Sequence, residues 1–217
     1  AYTYTPGGDG KGQVGDIPAE FAGAAEKAHE QLVEMVAEGK DELMEEFFEQ
    51  GTLSPERLVE GLREAVRERR IYPVVCAAAI HNIGTDRLLD FVVESFPAPV
   101  ERGEVKGRRG EEEVVRKISD DEPVSIYVFK TIADPFAGRV SYFRVMSGVL
   151  HNDANLENAR TEAVERLAHI GCPRGKEIVP VTQLHAGDIG AVAKLKDTLT
   201  GDTLYDKAAP IVYPRVK

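Results

Sequence analysis

The sequence predicts an α+β chain of two domains, a helical part followed by an antiparallel β-barrel. Three observations carry that reading. Apolar residues recur every three or four positions between Pro18 and Phe96, the period of an amphipathic helix. From Pro123 onward the pattern changes to alternation: Val124, Ile126 and Val128 fall on one side of an extended chain, and Ser125, Tyr127 and Phe129 on the other. The charge changes with it. Residues 1 to 122 hold 15 basic and 27 acidic groups, net −12, whereas residues 123 to 217 hold 12 and 10, net +2. A chain of 217 residues also exceeds one typical domain of about 100–150 residues.

The first stretch alternates Tyr2 and Tyr4, then runs into GGDGKG, which lacks the GK[ST] ending of a phosphate-binding loop and reads as a turn. Phe21, Ala25, Ala28, Leu32 and Met35 then define a helix from Pro18 to about Glu38, which Gly39 ends. Asp41 starts a second helix with Leu43, Met44, Phe47 and Phe48 on its apolar side, and Gly51 closes it. Ser54 followed by Pro55 is an N-cap and first-turn pair for a third, with Leu58, Leu62, Ala65 and Val66 facing inward. Ile71–Cys76 is a continuous apolar run, the signature of a strand buried on both faces of a parallel sheet. The loop AAAIHNIG leads from it to a helix over Thr85–Phe96 with a Leu88, Leu89, Val92, Val93, Phe96 stripe. In such α/β units ligands sit at the carboxyl end of the strand, which here is Ala77 to Ala79.

Pro97 and Pro99 end the helix, and the Glu-, Arg- and Gly-rich residues 101–122 read as a linker. The expected division is therefore residues 1–100, a linker over 101–122, and a barrel over 123–217. In the barrel, ADPFAG joins the first two strands as a shaped loop, with Pro135 fixing φ and Gly138 permitting an unusual backbone angle. Further extended runs fall near Ala163–His169, Ile178–Gln183, Ile189–Leu195 and Thr203–Tyr205, predicting a closed barrel of roughly six to eight strands.

Several classes of chemistry are excluded or weakened. No apolar run approaches the ~18 residues of a membrane span. The N-terminal residues have neither the basic start nor the apolar core of a secretory signal, which gives a cytoplasmic expectation. Cys76 and Cys172 fall in different predicted domains and read as free thiols. His169 and Cys172 have an H-x-x-C spacing, but neither His151 nor His185 completes a four-ligand zinc pattern. No nucleophile elbow, metalloprotease or dinucleotide motif is present, so no catalytic residue is assigned. Glu34, Glu38 and Asp41, spaced by four and three, share one face across the end of the first helix. That face reads either as a solvated surface or as a dock for a basic protein. A basic patch on the barrel, with Lys130 and Arg139 among its residues, suits RNA phosphates.

Several segments resemble bacterial elongation factor G. VFKTIADPFAGRVSYFRVMSGVL is similar to the start of that family's second domain, and AGDIGAVAKLKDTLTGDTL to its later strands. KAHEQLVEMVAEGKDELMEEFFEQGTLSPERLVEGLREAVRERRIYPVVC resembles the insertion in the family's GTPase domain and the strand after it, and AAAIHNIGTDRLLDFVVESFPAP resembles the fifth guanine motif and last helix. The resemblance runs nearly end to end and in order. It implies the C-terminal part of a GTPase domain with its inserted subdomain, then domain II. The P-loop, switch regions and N-K-x-D motif are expected upstream of Ala1, and further domains beyond Lys217. GTP with Mg2+ is thus implied for the parent protein and no cofactor for these residues, which are expected neither to bind nor to hydrolyse GTP.

Residue by residue, Ala77, Ala78 and Ala79 occupy the fifth motif, where the family usually has Gly-Ser-Ala; the departure hints at a divergent paralogue. The resemblance gives Glu34, Glu38 and Asp41 the role of docking the basic C-terminal domain of the ribosomal stalk protein. It gives the barrel contact with small-subunit ribosomal RNA, with Lys130 and Arg139 as candidate phosphate contacts. The implied partners are the ribosome and the rest of the parent chain, with no membrane. Related recycling or tetracycline-protection GTPases share the domain order, and a stand-alone interaction module is the reading from another class.

Overall fold

The computed structural model describes residues 1–135 and 138–215. The chain divides into two compact units, Ala1–Pro97 and Ala98–Lys217. In the first unit a short ribbon pairs β1 (Tyr2–Thr3) with β2 (Gln13–Val14). Four helices follow: α1 (Ala19–Ala37), α2 (Asp41–Gln50), α3 (Pro55–Arg67) and α4 (Thr85–Ser95). Their ends follow from local chemistry. Gly51 closes α2 in the left-handed conformation at φ 73°. Ser54 caps α3, its Oγ accepting from the Arg57 amide at 3.3 Å, with Pro55 in the first turn.

The core of this unit is small. Val33, Val36, Ala37, Leu43 and Leu53 form it, with Leu58 and Leu62 packed against it. This corrects the predicted apolar face of α1. Phe21 is exposed because the first half of the helix stands clear of α2 and α3, and Met35, in the covered half, because it lies on the side of the helix away from Val33, Val36 and Ala37. The absence of a side chain at Gly61 allows that closure: a Cβ there would lie 2.6 Å from Val36 Cγ1 and 2.8 Å from Leu43 Cδ1. Gly61→Val is therefore expected to cost about 1–3 kcal/mol by overpacking, read as a lower melting temperature for the helical signal in circular dichroism. An unchanged melt would show that α3 packs elsewhere.

Ile71–Cys76 does not form the predicted buried strand. Among the described residues it joins no sheet, and Tyr72, Val74 and Val75 are exposed, Val74 at 93%. A continuous apolar run is a strand only when a sheet flanks it, and among the described residues none does. The apolar stripe of α4 is likewise open to solvent, with Leu89 and Val93 at 66% and 79% exposure.

In the second unit the expected linker 101–122 is structured. Strands β3 (Glu104–Arg109) and β4 (Glu112–Lys117) pair in register as a hairpin closed by Gly110 at φ 63°. Arg116, only 5% exposed, fastens it to the rest of the unit by donating to the carbonyls of Pro123 and Ala209 and to Ser147 Oγ. Val105 and Ile118 join Tyr127, Tyr205, Ile211 and Tyr213 in a second core on the outer side of the main sheet. Tyr127 therefore faces a hydrophobic layer rather than solvent, and both faces of its strand are buried at that point.

The main sheet contains β5 (Ser125–Asp134), β6 (Gly138–Ser147), β8 (Ala154–Asn158), β9 (Val164–Leu167), β10 (Gly171–Arg174), β11 (Glu177–Pro180), β13 (Ile189–Ala193) and β14 (Thr203–Tyr205). Its order is β11-β10-β13-β6-β5-β14-β8-β9, with every neighbouring pair antiparallel. Among the described residues the edges β11 and β9 do not pair, so the sheet curls without the predicted closure. A separate short pair, β7 (Leu150–His151) with β12 (Gln183–Leu184), adds to the same core. That core is filled by Ile126, Val128, Phe143, Val145, Leu150 and Leu204, all inaccessible to solvent, together with residues of the other strands. A register shift between Val128 and Lys130 bends β5. The ADPFAG loop lies partly outside the described residues, at Phe136 and Ala137.

Candidate functional site

Glu34, Glu38 and Asp41 flank the junction between α1 and α2. Glu34 and Glu38 stand on the last turn of α1 and its C-cap, and Asp41 opens α2; all three are exposed, and none meets a cation among the described residues. The nearest lysine in sequence, Lys40, is committed elsewhere, its Nζ pairing with Glu64 of α3. That hydrogen bond raises the Lys40 pKa and keeps it charged. Glu34 and Glu38 keep helical spacing, whereas the extended Lys40 (φ −148°) separates them from Asp41 on the next helix, so the three exposed carboxylates flank the α1–α2 junction with no ion pair among the described residues.

Ala77, Ala78 and Ala79 lie in a loop closed on itself. Ala78 and Ile83 exchange hydrogen bonds at 2.9 and 3.2 Å, and residues 79–81 form a single 3-10 turn. The Ala78 amide is thus used internally, and the Ala77 and Ala79 amides have no partner among the described residues. The N-terminal ribbon is clipped beside this loop. Tyr4 donates to Asp86 Oδ1 at 2.7 Å and the Gly12 amide to Oδ2 at 3.2 Å. The Tyr4 hydroxyl is the main reason that the Asp86 carboxyl falls to about 2. Arg87 lies over the Tyr2 ring at 4.9 Å from its centroid. GGDGKG is therefore a turn held by an aspartate.

On the barrel, Lys130 is exposed opposite Tyr142 on the neighbouring strand. Arg139 has a structural partner that its sequence context did not reveal: its guanidinium donates to the carbonyls of Leu195, at 2.6 Å, and Lys196. These two candidates are on different rows of the sheet, and of the two only Lys130 presents an uncommitted charge.

Two buried carboxylates organise the same end of the barrel and were missed in the sequence. Glu165 accepts from the amides of Lys196, Asp197 and Thr198 and from Thr198 Oγ1, at 2.8 to 3.1 Å. Asp202 accepts from Asn158 Nδ2, the Leu199 amide, Arg160 and Arg215. Burial alone raises both carboxyls. For Glu165 the loop amides overcome it, and for Asp202 the Arg160 and Asn158 hydrogen bonds do, so both end below the ordinary carboxylate range. Their only signal in the sequence is turn chemistry at Asp202, since Glu165 sits in an alternating strand like any surface glutamate. Among the described residues no cluster of His, Cys, Asp or Glu has the makings of a metal site, both cysteines are free and exposed, and no helix is long and apolar enough to cross a membrane.

The curled antiparallel sheet and the helical unit that precedes it in the chain define an α+β protein with a translation-factor type of β-barrel. Residues 123–207 match the family described as Elongation factor G domain 2. Residues 123–207 thus carry a domain of the elongation factor G domain 2 type. Over its whole length it is also similar to a crystal structure from Thermus thermophilus, with a TM-score of 0.76 and 27% sequence identity, covering 100% of this chain and 30% of that one. The chain thus spans about 30% of the length of the solved protein it matches.

Proposed function

We propose that this chain is the ribosome-docking portion of a translational GTPase of the elongation factor G type, acting in translocation. The observation that carries the reading is the domain 2 match over residues 123–207. The helical unit supplies the docking chemistry: Glu34, Glu38 and Asp41 offer an uncompensated acidic face to the basic domain of the ribosomal stalk protein. The barrel offers Lys130, and more weakly Arg139, to small-subunit ribosomal RNA. On this reading residues 1–100 are the C-terminal part of the GTPase domain with its inserted subdomain, and the rest of the parent chain covers Ile71–Cys76 and α4, whose apolar residues Val74, Leu89 and Val93 are exposed. The parent binds GTP with Mg2+ in the cytoplasm, where the Ala77 and Ala79 amides meet the guanine.

Reversing Glu34 and Glu38 to lysine tests the docking role. The unchanged chain is expected to bind the isolated stalk domain with an affinity that falls as salt rises, and the reversed chain to lose at least about tenfold. Equal binding by both, at one salt concentration, sinks the assignment.

A further inference from the structure

We propose that Phe129, Lys130 and Tyr142, on the outer face of β5 and β6, form a stacking platform for one unstacked base of single-stranded RNA, with Lys130 on a neighbouring phosphate. The choice of RNA as partner rests on the ribosome-docking reading, which this platform deepens. The bulge in β5 assembles it. Val128 pairs with Phe143 and Lys130 with Tyr142, so Phe129 and Lys130 together stand opposite a single residue of β6. The register then decides which way they face. Val128 and Phe143 are fully buried in the main core. Thr131 pairs with Ser141, which lies two residues before Phe143 on β6 and therefore on the same inward side. Regular alternation leaves one outward residue between two inward ones, and here there are two. Both are open to solvent, Phe129 at 41%. An aromatic ring and an ammonium thus share a face that regular alternation would have divided between them.

The neighbours on that face fit a nucleic-acid strand. Tyr142, half-buried, is the residue directly across from Lys130, at a Cβ separation of about 5 Å. Arg144 follows two residues along the same side of β6, about 7 Å further on, with its Nε donating to the Gly187 carbonyl at 3.3 Å. Among the described residues neither Lys130 nor Arg144 forms an ion pair with a carboxylate. Residues 123 to 217 carry a net charge of +2, so the field around the platform does not repel phosphate. An exposed ring beside unpaired cations is the combination that holds single strands: every base has a flat face to lay on an aromatic side chain, and the cations take the phosphates. Duplex RNA keeps its bases stacked inside the helix and offers none to Phe129. The ring is thus what selects an unstacked base over a bare phosphate backbone.

The test uses the full chain with fluorescein-labelled hexauridylate and a matched hexamer that lacks every base, followed by fluorescence anisotropy, and by NMR at the Phe129 and Tyr142 rings. Hexauridylate is expected to bind saturably, with an affinity that falls as salt rises, and to shift both ring signals. The abasic hexamer is expected to bind at least about fivefold more weakly and to shift neither. F129A should bring hexauridylate down to the abasic level without altering the abasic affinity, F129W should restore the difference, and K130A should weaken both oligomers alike. Absence of saturable hexauridylate binding overturns the proposal. So does equal binding of the two oligomers, which would reduce the site to phosphate contact and leave the ribosome-docking reading standing. That reading fails separately, in stalk binding indifferent to reversal of Glu34 and Glu38.

Discussion

Replacing Asp202 with alanine is expected to lower the unfolding free energy of the barrel unit by about 2–3 kcal/mol, measured by urea denaturation. The carboxylate is 2% exposed and joins four otherwise separate groups: Asn158 from β8, Arg160 after it, the Leu199 amide, and Arg215 near the C-terminal end. Truncation leaves the fully buried Asn158 amide with only Thr198 Oγ1, at 3.2 Å, as acceptor. It also strands Arg160, whose Nη2 retains only the Asp197 carbonyl at 2.5 Å. The arginines reach solvent, which is why the figure sits below that for a fully buried ion pair. A loss under about 0.5 kcal/mol would mean that the network decorates the fold and does not hold it.

Glu165→Gln carries the second large expected effect, and its signature is pH. The folded carboxyls of Glu165 and Asp202 both lie below their unfolded values. Such groups stabilise the fold fully above the unfolded pKa, about 4, and that contribution disappears as pH falls through the folded pKa. The unaltered chain is therefore expected to lose stability steeply on the acid side. Glutamine keeps an acceptor oxygen at Glu165's place but presents one amide oxygen to three N–H groups and a hydroxyl. About 2 kcal/mol should be lost at neutral pH, and the acid limb should be shallower. An identical acid limb in both proteins would show that other carboxylates govern acid unfolding.

Much of the fold was legible because local chemistry decided it. Gly51 and the Ser54-Pro55 pair set helix ends without help from the rest of the chain, and the alternation around Ile126 defined β5. The failures lie where burial depends on distant residues. Periodicity put Phe21 and Met35 inward on α1, yet only Val33, Val36 and Ala37 are buried against other helices. Ile71–Cys76 has the composition of a central strand but, among the described residues, no neighbouring strand to pair with. Residues 104–117 read as linker because charges dominate them, although Val105 and Gly107 alternate against Val114 and Arg116 about the Gly110 turn. The commitment of Arg139 to two carbonyls arises from contacts across tens of residues and leaves no local pattern.

The proposed docking of this chain on the ribosome, with the acidic helices engaging the stalk protein, is tested most directly by titrating the labelled chain with bacterial ribosomes before and after removal of that protein. Binding that weakens by at least about tenfold without the stalk, and equally in the chain with Glu34 and Glu38 reversed to lysine, is the predicted result. Binding indifferent to both the stalk and the reversal would contradict it.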